Sequence, residues 1–144
     1  MSNASLVHQI KRLSALMNQS IDEVLKTHGM ARSQFQVLYL VNTSGSLTQK
    51  QLLDTLKVEP ATLSGVIDTL ENKGLITRSI ATDDRRSRTL ELTETGRIAV
   101  TDIPHPGILV ETKMFKGLSA EDKKIFKRIT TRLIDNLEVH EGTQ

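Results

Sequence analysis

The chain has 144 residues and no cysteine. That excludes disulfides and thiolate metal ligands, and with them any switch that works by oxidising a thiol. Tryptophan is absent and aromatic residues make up only 3%, so the sequence offers no obvious stacking box for a planar ligand. The longest unbroken apolar run, Val37 to Val41, is far too short to span a bilayer. No charged-then-apolar leader opens the chain, and the expected location is cytoplasmic. Glycine-rich phosphate loops and nucleophile motifs are missing. The neighbouring carboxylates Asp83 and Asp84 sit beside arginines on an expected turn, a poor place to raise a pKa for acid–base work. An enzyme is therefore not expected. His8, His28, His105 and His140 fall at no helical ligand spacing, so neither a metal site nor a cofactor is expected.

What is present is ordinary for a folded chain. Hydrophobic content is 38% and charged content 25%, which suits one globular domain or one compact dimer-forming unit. A net charge of +2 and a pI near 9.0 permit a nucleic-acid partner without requiring one. The placement of the charges has to decide.

Leu6, Ile10, Leu13, Met17, Ile21 and Val24 recur at spacings of three and four, one apolar stripe on a long helix that Gly29 ends. A second helix is expected over Arg32–Val41, apolar on more than one side and weakly started, because Ala31 offers no side-chain oxygen as a cap. Asn42–Gly45 reads as a loop. Thr48 and Gln51 then form a capping box, with Leu47 and Leu52 placed as its hydrophobic staple, so a short helix to about Leu56 is well specified. Lys57–Glu59 is a turn, and Pro60 opens the next helix where proline is best tolerated.

In that helix Leu63, Val66, Ile67 and Leu70 form the buried face, and Gly74 closes it. At 100° per residue Ala61, Ser64, Gly65 and Asp68 lie opposite, with Thr62 on the flank. Small side chains let a helix lie deep in a major groove. They also suit a plain solvent-facing helix, and Glu59–Lys73 holds three acids to one base. Ile76 and Ile80, then Leu90 and Leu92, alternate with polar residues as two half-buried strands. The tip between them carries Asp84, Arg85 and Arg86, with Arg88 on the strand beyond. Such a tip fits a narrow, negative minor groove; it is equally readable as a solvated turn with an internal ion pair. Helix, helix and basic hairpin in this order favour DNA.

The stretch resembles the MarR family. Asp84-Arg85-Arg86-Ser87-Arg88-Thr89-Leu90-Glu91-Leu92-Thr93 fits that family's wing pattern, Ala61 to Glu71 resembles its recognition helix, and Leu75-Ile76-Thr77-Arg78 resembles the strand after it. The resemblance implies that Arg86 enters the minor groove with Asp84 as its brace. It places Pro60, Ala61, Thr62, Ser64 and Gly65 in the major groove and Thr48, Gln49 and Lys50 on the DNA backbone. It also implies dimerising helices at both ends of the chain.

Thr93 is placed to cap a helix running to about Asp102. Ile103-Pro104-His105-Pro106-Gly107 must then break it, as a hinge or as a bend that suits the packing; a continuous helix is usual in the family here. Helix resumes near Ile108 and ends near Lys116. Ser119 caps the last helix, whose apolar face is Ile125, Phe126, Ile129, Leu133, Ile134 and Leu137. The first and last stripes pack on one another or on a second copy, and one winged head is too small to bury both.

The expected fold is mainly α with a small β-hairpin wing: a dimeric winged helix-turn-helix of about six helices. Residues 1–30 form an N-terminal dimerisation helix, 31–100 the DNA-binding domain and 101–144 the C-terminal dimerisation helices. Leu6, Ile10, Leu13, Ile129, Leu133 and Leu137 are the expected dimer residues. The expected function is a ligand-responsive repressor, binding as a homodimer to a near-palindromic site in double-stranded DNA with half-sites ~34 Å apart. Alternatives are a winged-helix protein-interaction module and a metal-responsive regulator.

Overall fold

The computed structural model describes residues 3–80 and 88–138. Two compact units divide between Pro106 and Gly107.

The first unit opens with α1 (Asn3–Lys26), along which the expected stripe changes character. Leu6, Val7, Ile10, Leu13 and Leu16 stay exposed, while Leu25 is fully buried and Ile21 packs at the core edge. Leu25 lies outside the expected stripe, a correction that moves the core contact to the helix end. The centre is α2 (Arg32–Ser44), with Val37, Leu38 and Val41 all but inaccessible. It touches α1, β1 (Leu47–Thr48), α4 (Pro60–Asn72), β3 (Arg88–Leu92) and α5 (Glu94–Asp102), as a helix apolar on several sides must. Asn42, Thr43 and Ser44 finish this helix instead of forming a loop. The Thr43 hydroxyl donates back to the Tyr39 and Leu40 carbonyls, at 3.0 and 3.1 Å, so the polar residues complete the last turn. Gly45 then ends it, its N–H donating to the Val41 carbonyl.

The remaining elements of this unit are β1 (Leu47–Thr48), α3 (Gln49–Leu56), α4 (Pro60–Asn72), β2 (Ile76–Ile80), β3 (Arg88–Leu92) and α5 (Glu94–Asp102). The sheet is antiparallel in the order β1-β3-β2, with Leu47 opposite Leu90 and Ile76 opposite Leu92. β1 was not expected; two residues are too few for an alternating pattern to show. Leu52, Leu63, Ile67, Leu70, Ile76 and Leu90 join α2 in one core.

Two joints hold the head together. After α4 the Leu75 N–H donates to the Leu70 carbonyl and the Gly74 N–H to that of Glu71, the paired closure that needs the positive φ of +72° at Gly74. At the start of α5 the Thr93 hydroxyl accepts from the Gly96 N–H at 2.9 Å and donates to the Gly74 carbonyl at 2.6 Å. Glu94 and Arg97 pair along the first turn of α5. That hydrogen bond, with their mutual attraction, lowers the carboxyl pKa and raises the guanidinium pKa.

The break expected after Asp102 is present. Ile103 leaves the helix in an extended conformation, and the His105 ring stands edge-on to Tyr39 and Phe35, centroids 5.0 and 6.1 Å away. α6 (Pro106–Met114) starts at Pro106, two residues before the expected point, because proline is well placed as the first residue of a helix. The break makes separate helices of α5 and α6. With the last one, seven helices are described where about six were expected.

In the second unit Phe115 and Phe126 meet edge to face at 5.6 Å, and Lys123 pairs with Glu111 at 2.9 Å. The last helix, α7 (Ala120–Glu138), begins with a capping box. The Asp122 N–H donates to the Ser119 hydroxyl, and the Ser119 N–H to the Asp122 carboxylate, both at 3.0 Å. These bonds, the one from the Ser119 backbone first, hold the Asp122 carboxyl below the usual range. α7 buries no residue. Ile125, Phe126, Ile129, Leu133 and Ile134 are 40–49% exposed and Leu137 80%. Among the described residues no helix is long and apolar enough to cross a membrane.

Candidate nucleic-acid interface

The capping box expected at Thr48 forms: the Gln51 N–H donates to the Thr48 hydroxyl at 3.1 Å and the Thr48 N–H to the Gln51 side-chain oxygen at 2.9 Å. This fixes where α3 begins, and so where Gln49 and Lys50 stand. Lys57, in the left-handed conformation at φ 53°, turns the chain toward α4, which starts at Pro60 as expected. With Leu63, Ile67 and Leu70 locked in the core, the rest of α4 is placed. Ala61, Thr62, Gly65 and Asp68 are exposed and Ser64 is half-buried. Nothing lies within 4 Å of where a Gly65 Cβ would stand, so this surface is open.

Of the expected contact residues, Gln49 and Ser64 touch each other. The Gln49 side-chain amide donates to the Ser64 hydroxyl at 2.9 Å, joining the start of α3 to the outer face of α4. Lys50 is exposed beside them, and Thr48 is committed to the cap.

The acids of α4 have a partner that the sequence reading missed. Arg78, on β2, makes an ion pair with Asp68 and lies 3.6 Å from the Glu71 carboxylate. Its side chain is 21% exposed, against 62% for Asp68 and 43% for Glu71. Two of the three acids that argue against DNA therefore lie against one guanidinium. A signal was available. Ile76 and Arg78 are two apart on a strand and share a face, and an arginine on an apolar face needs a carboxylate. Lys73 at the end of α4 donates to the Gln34 side-chain oxygen at 3.3 Å, tying α4 back to the start of α2.

β2 and β3 form the expected hairpin, with Ile80 opposite Arg88. Arg88 is exposed on the strand, as expected. The expected tip contacts Asp84, Arg85 and Arg86 lie outside the described residues, as does Asp83. Where α1 meets α2 an open cavity of about 620 Å³ lies next to Asp22, Lys26 and Arg32. Its Arg32 and Asp22 side chains pair at 2.6 Å. Among the described residues no three of His, Asp and Glu gather in a way that could hold a metal ion.

Comparison with known proteins places this geometry. Residues 30–87 match the model of the MarR family. The chain is 30% identical over 127 residues to the HTH-type transcriptional regulator YwoH of Bacillus subtilis, covering 88% of this chain and 92% of that one. Its fold is similar to the crystal structure of a MepR–DNA complex from S. aureus, with a TM-score of 0.81 and 25% identity over 91% of this chain and 96% of that one. It is also similar to a mutant MarR from E. coli complexed with operator DNA, with a TM-score of 0.75 and 21% identity over 92% and 99% of the two chains.

Proposed function

The chain belongs to the MarR family, and from that premise we propose that it is a sequence-specific, DNA-binding transcription regulator acting as a homodimer in the cytoplasm. It represses from a near-palindromic operator, and a small ligand relieves the repression; no catalytic step is assigned to it. The observation that carries the reading is the outer face of α4. Ala61, Thr62 and Gly65 are small and exposed, Ser64 stands between them, and the acids nearby lie against Arg78. A helix so faced can approach base edges closely. Pro60 opens this face, Thr48, Gln49 and Lys50 lie on the DNA backbone beside it, and Asp84, Arg85, Arg86 and Arg88 supply the wing.

The dimer reading rests on two apolar faces that the chain leaves exposed: Leu6, Ile10 and Leu13 on α1, and Ile129, Leu133 and Leu137 on α7. Exposed apolar surface of this extent marks an interaction site. Residues 1–30 and 101–144 serve in dimerisation, and 31–100 is the reading head. Two-fold symmetry then demands two half-sites about one helical turn apart, ~34 Å. A ligand that favours any other spacing of the heads lowers DNA affinity by linkage.

Selection of bound duplexes from a random pool tests the reading. A near-palindrome with half-sites at that spacing is the expected product. An unenriched pool would contradict it and favour a protein-interaction module.

A further inference from the structure

Six threonines in these helices use their hydroxyls in one way. Thr43, Thr55, Thr69, Thr101, Thr112 and Thr131 each donate to the carbonyl four residues back, at 2.8 to 3.0 Å. Ser64 does not. Its oxygen accepts from the Gln49 amide at 2.9 Å, and among the described residues its proton has no acceptor. A serine hydroxyl has one proton and two lone pairs. With one lone pair committed to Gln49, the proton remains on the surface already assigned to the DNA groove. Accepting a hydrogen bond also makes a hydroxyl a better donor.

We propose that Gln49 sets the polarity of Ser64, so that Ser64 presents a proton to the major groove and selects a hydrogen-bond acceptor at one base position of each half-site. In that groove guanine, thymine and, through its N7, adenine offer acceptors, while cytosine presents only an amino donor. Gln49 is thereby a specificity-determining residue acting through Ser64, in addition to any contact it makes itself. The inference rests on the DNA-reading role of α4 and adds a rule for what one position prefers.

The polarity can be inverted. In Gln49→Glu the amide donor becomes a carboxylate, which only accepts. The Ser64 proton must then turn toward it, leaving the serine lone pairs to the groove. An acid at the first position of α3 suits the helix dipole, so the fold is retained.

The test is duplex selection with the unmodified protein, Ser64→Ala and Gln49→Glu. The expected result has three parts. One position per half-site disfavours cytosine by roughly fivefold or more. Ser64→Ala flattens that position alone. Gln49→Glu turns its preference to cytosine or adenine, in addition to any general loss of affinity from the new charge. The inference is overturned if Gln49→Glu weakens binding while every base preference stays as it was, if Ser64→Ala flattens no position, or if the position it flattens prefers cytosine in the unmodified protein. Failure of the unmodified protein to enrich any duplex is a different result, and it overturns the DNA-reading role itself.

Discussion

Arg78 reaches from β2 to Asp68 on α4, and the same guanidinium lies 3.6 Å from Glu71. Without it two carboxylates would face a phosphate backbone uncompensated. Arg78→Met is expected to lower affinity for the selected duplex severalfold. The loss should shrink as salt rises, because exposed charges are screened. Adding Asp68→Asn and Glu71→Gln should recover most of the affinity. Failure of that rescue in binding titrations would assign Arg78 a direct DNA contact instead of a compensating one.

Gly96 and Leu75 meet without room for a methyl group. A Cβ on Gly96 would stand 1.9 Å from the Leu75 carbonyl oxygen and 2.9 Å from its carbon, both backbone atoms. Gly96→Ala must force α5 away from the strand entry, at a cost of about 3 kcal/mol or more, the upper range for overpacking. Gly65→Ala meets open space and lies in a helix, so it should not lower stability. Equilibrium denaturation of the two variants checks the contrast; equal stabilities would contradict the close approach.

The exposed face of α7 predicts a dimer that charge dissolves. Leu133→Glu with Leu137→Glu should sediment as a folded monomer, with an unchanged helical spectrum, and should lose operator binding. The unmodified protein should sediment as a dimer at micromolar concentration. A monomer under those conditions would refute the dimer reading.

In the wing, Arg86→Ala is expected to weaken binding to the preferred site by roughly 1–3 kcal/mol. Asp84→Ala should do part of the same damage, and the two losses should not add, since both act through one guanidinium. Arg88→Ala, on β3, should cost mainly general phosphate affinity and some salt slope. A double-mutant cycle at fixed salt is the measurement. Full additivity of the Asp84 and Arg86 changes, or undiminished affinity in Arg86→Ala, would exclude the assignment.

Local chemistry was readable from the sequence. The Thr48 capping box, the Thr93 and Ser119 caps, Pro60 as a helix start and Gly74 as a helix end are each set by residues within five positions of one another. The structure places all of them as expected. What escaped depends on distant partners. β1 exists only because Leu47 and Thr48 find β3. Arg78 has meaning only beside α4. Gln49 was expected on the DNA backbone, and its bond to Ser64, fifteen residues away, follows from how α3 and α4 cross. Gly96 reads as an ordinary helix residue until Leu75 is beside it. The misread loop at Asn42–Ser44 is a different case. Polar residues favour turns because their side chains compete for the backbone, and here the Thr43 hydroxyl bonds within the helix instead.

This chain is predicted to grip DNA through phosphate contacts from two reading heads. Binding to duplex DNA, of random sequence and of the selected site, measured across a range of salt tests it most directly. Each neutralised phosphate releases counterions, so the slope of log affinity against log salt is about −0.9 per contact. A dimer with several contacts per head is predicted to lose on the order of a thousandfold in affinity between about 50 and 200 mM salt. A flat response, with weak binding at every salt concentration, would contradict the account.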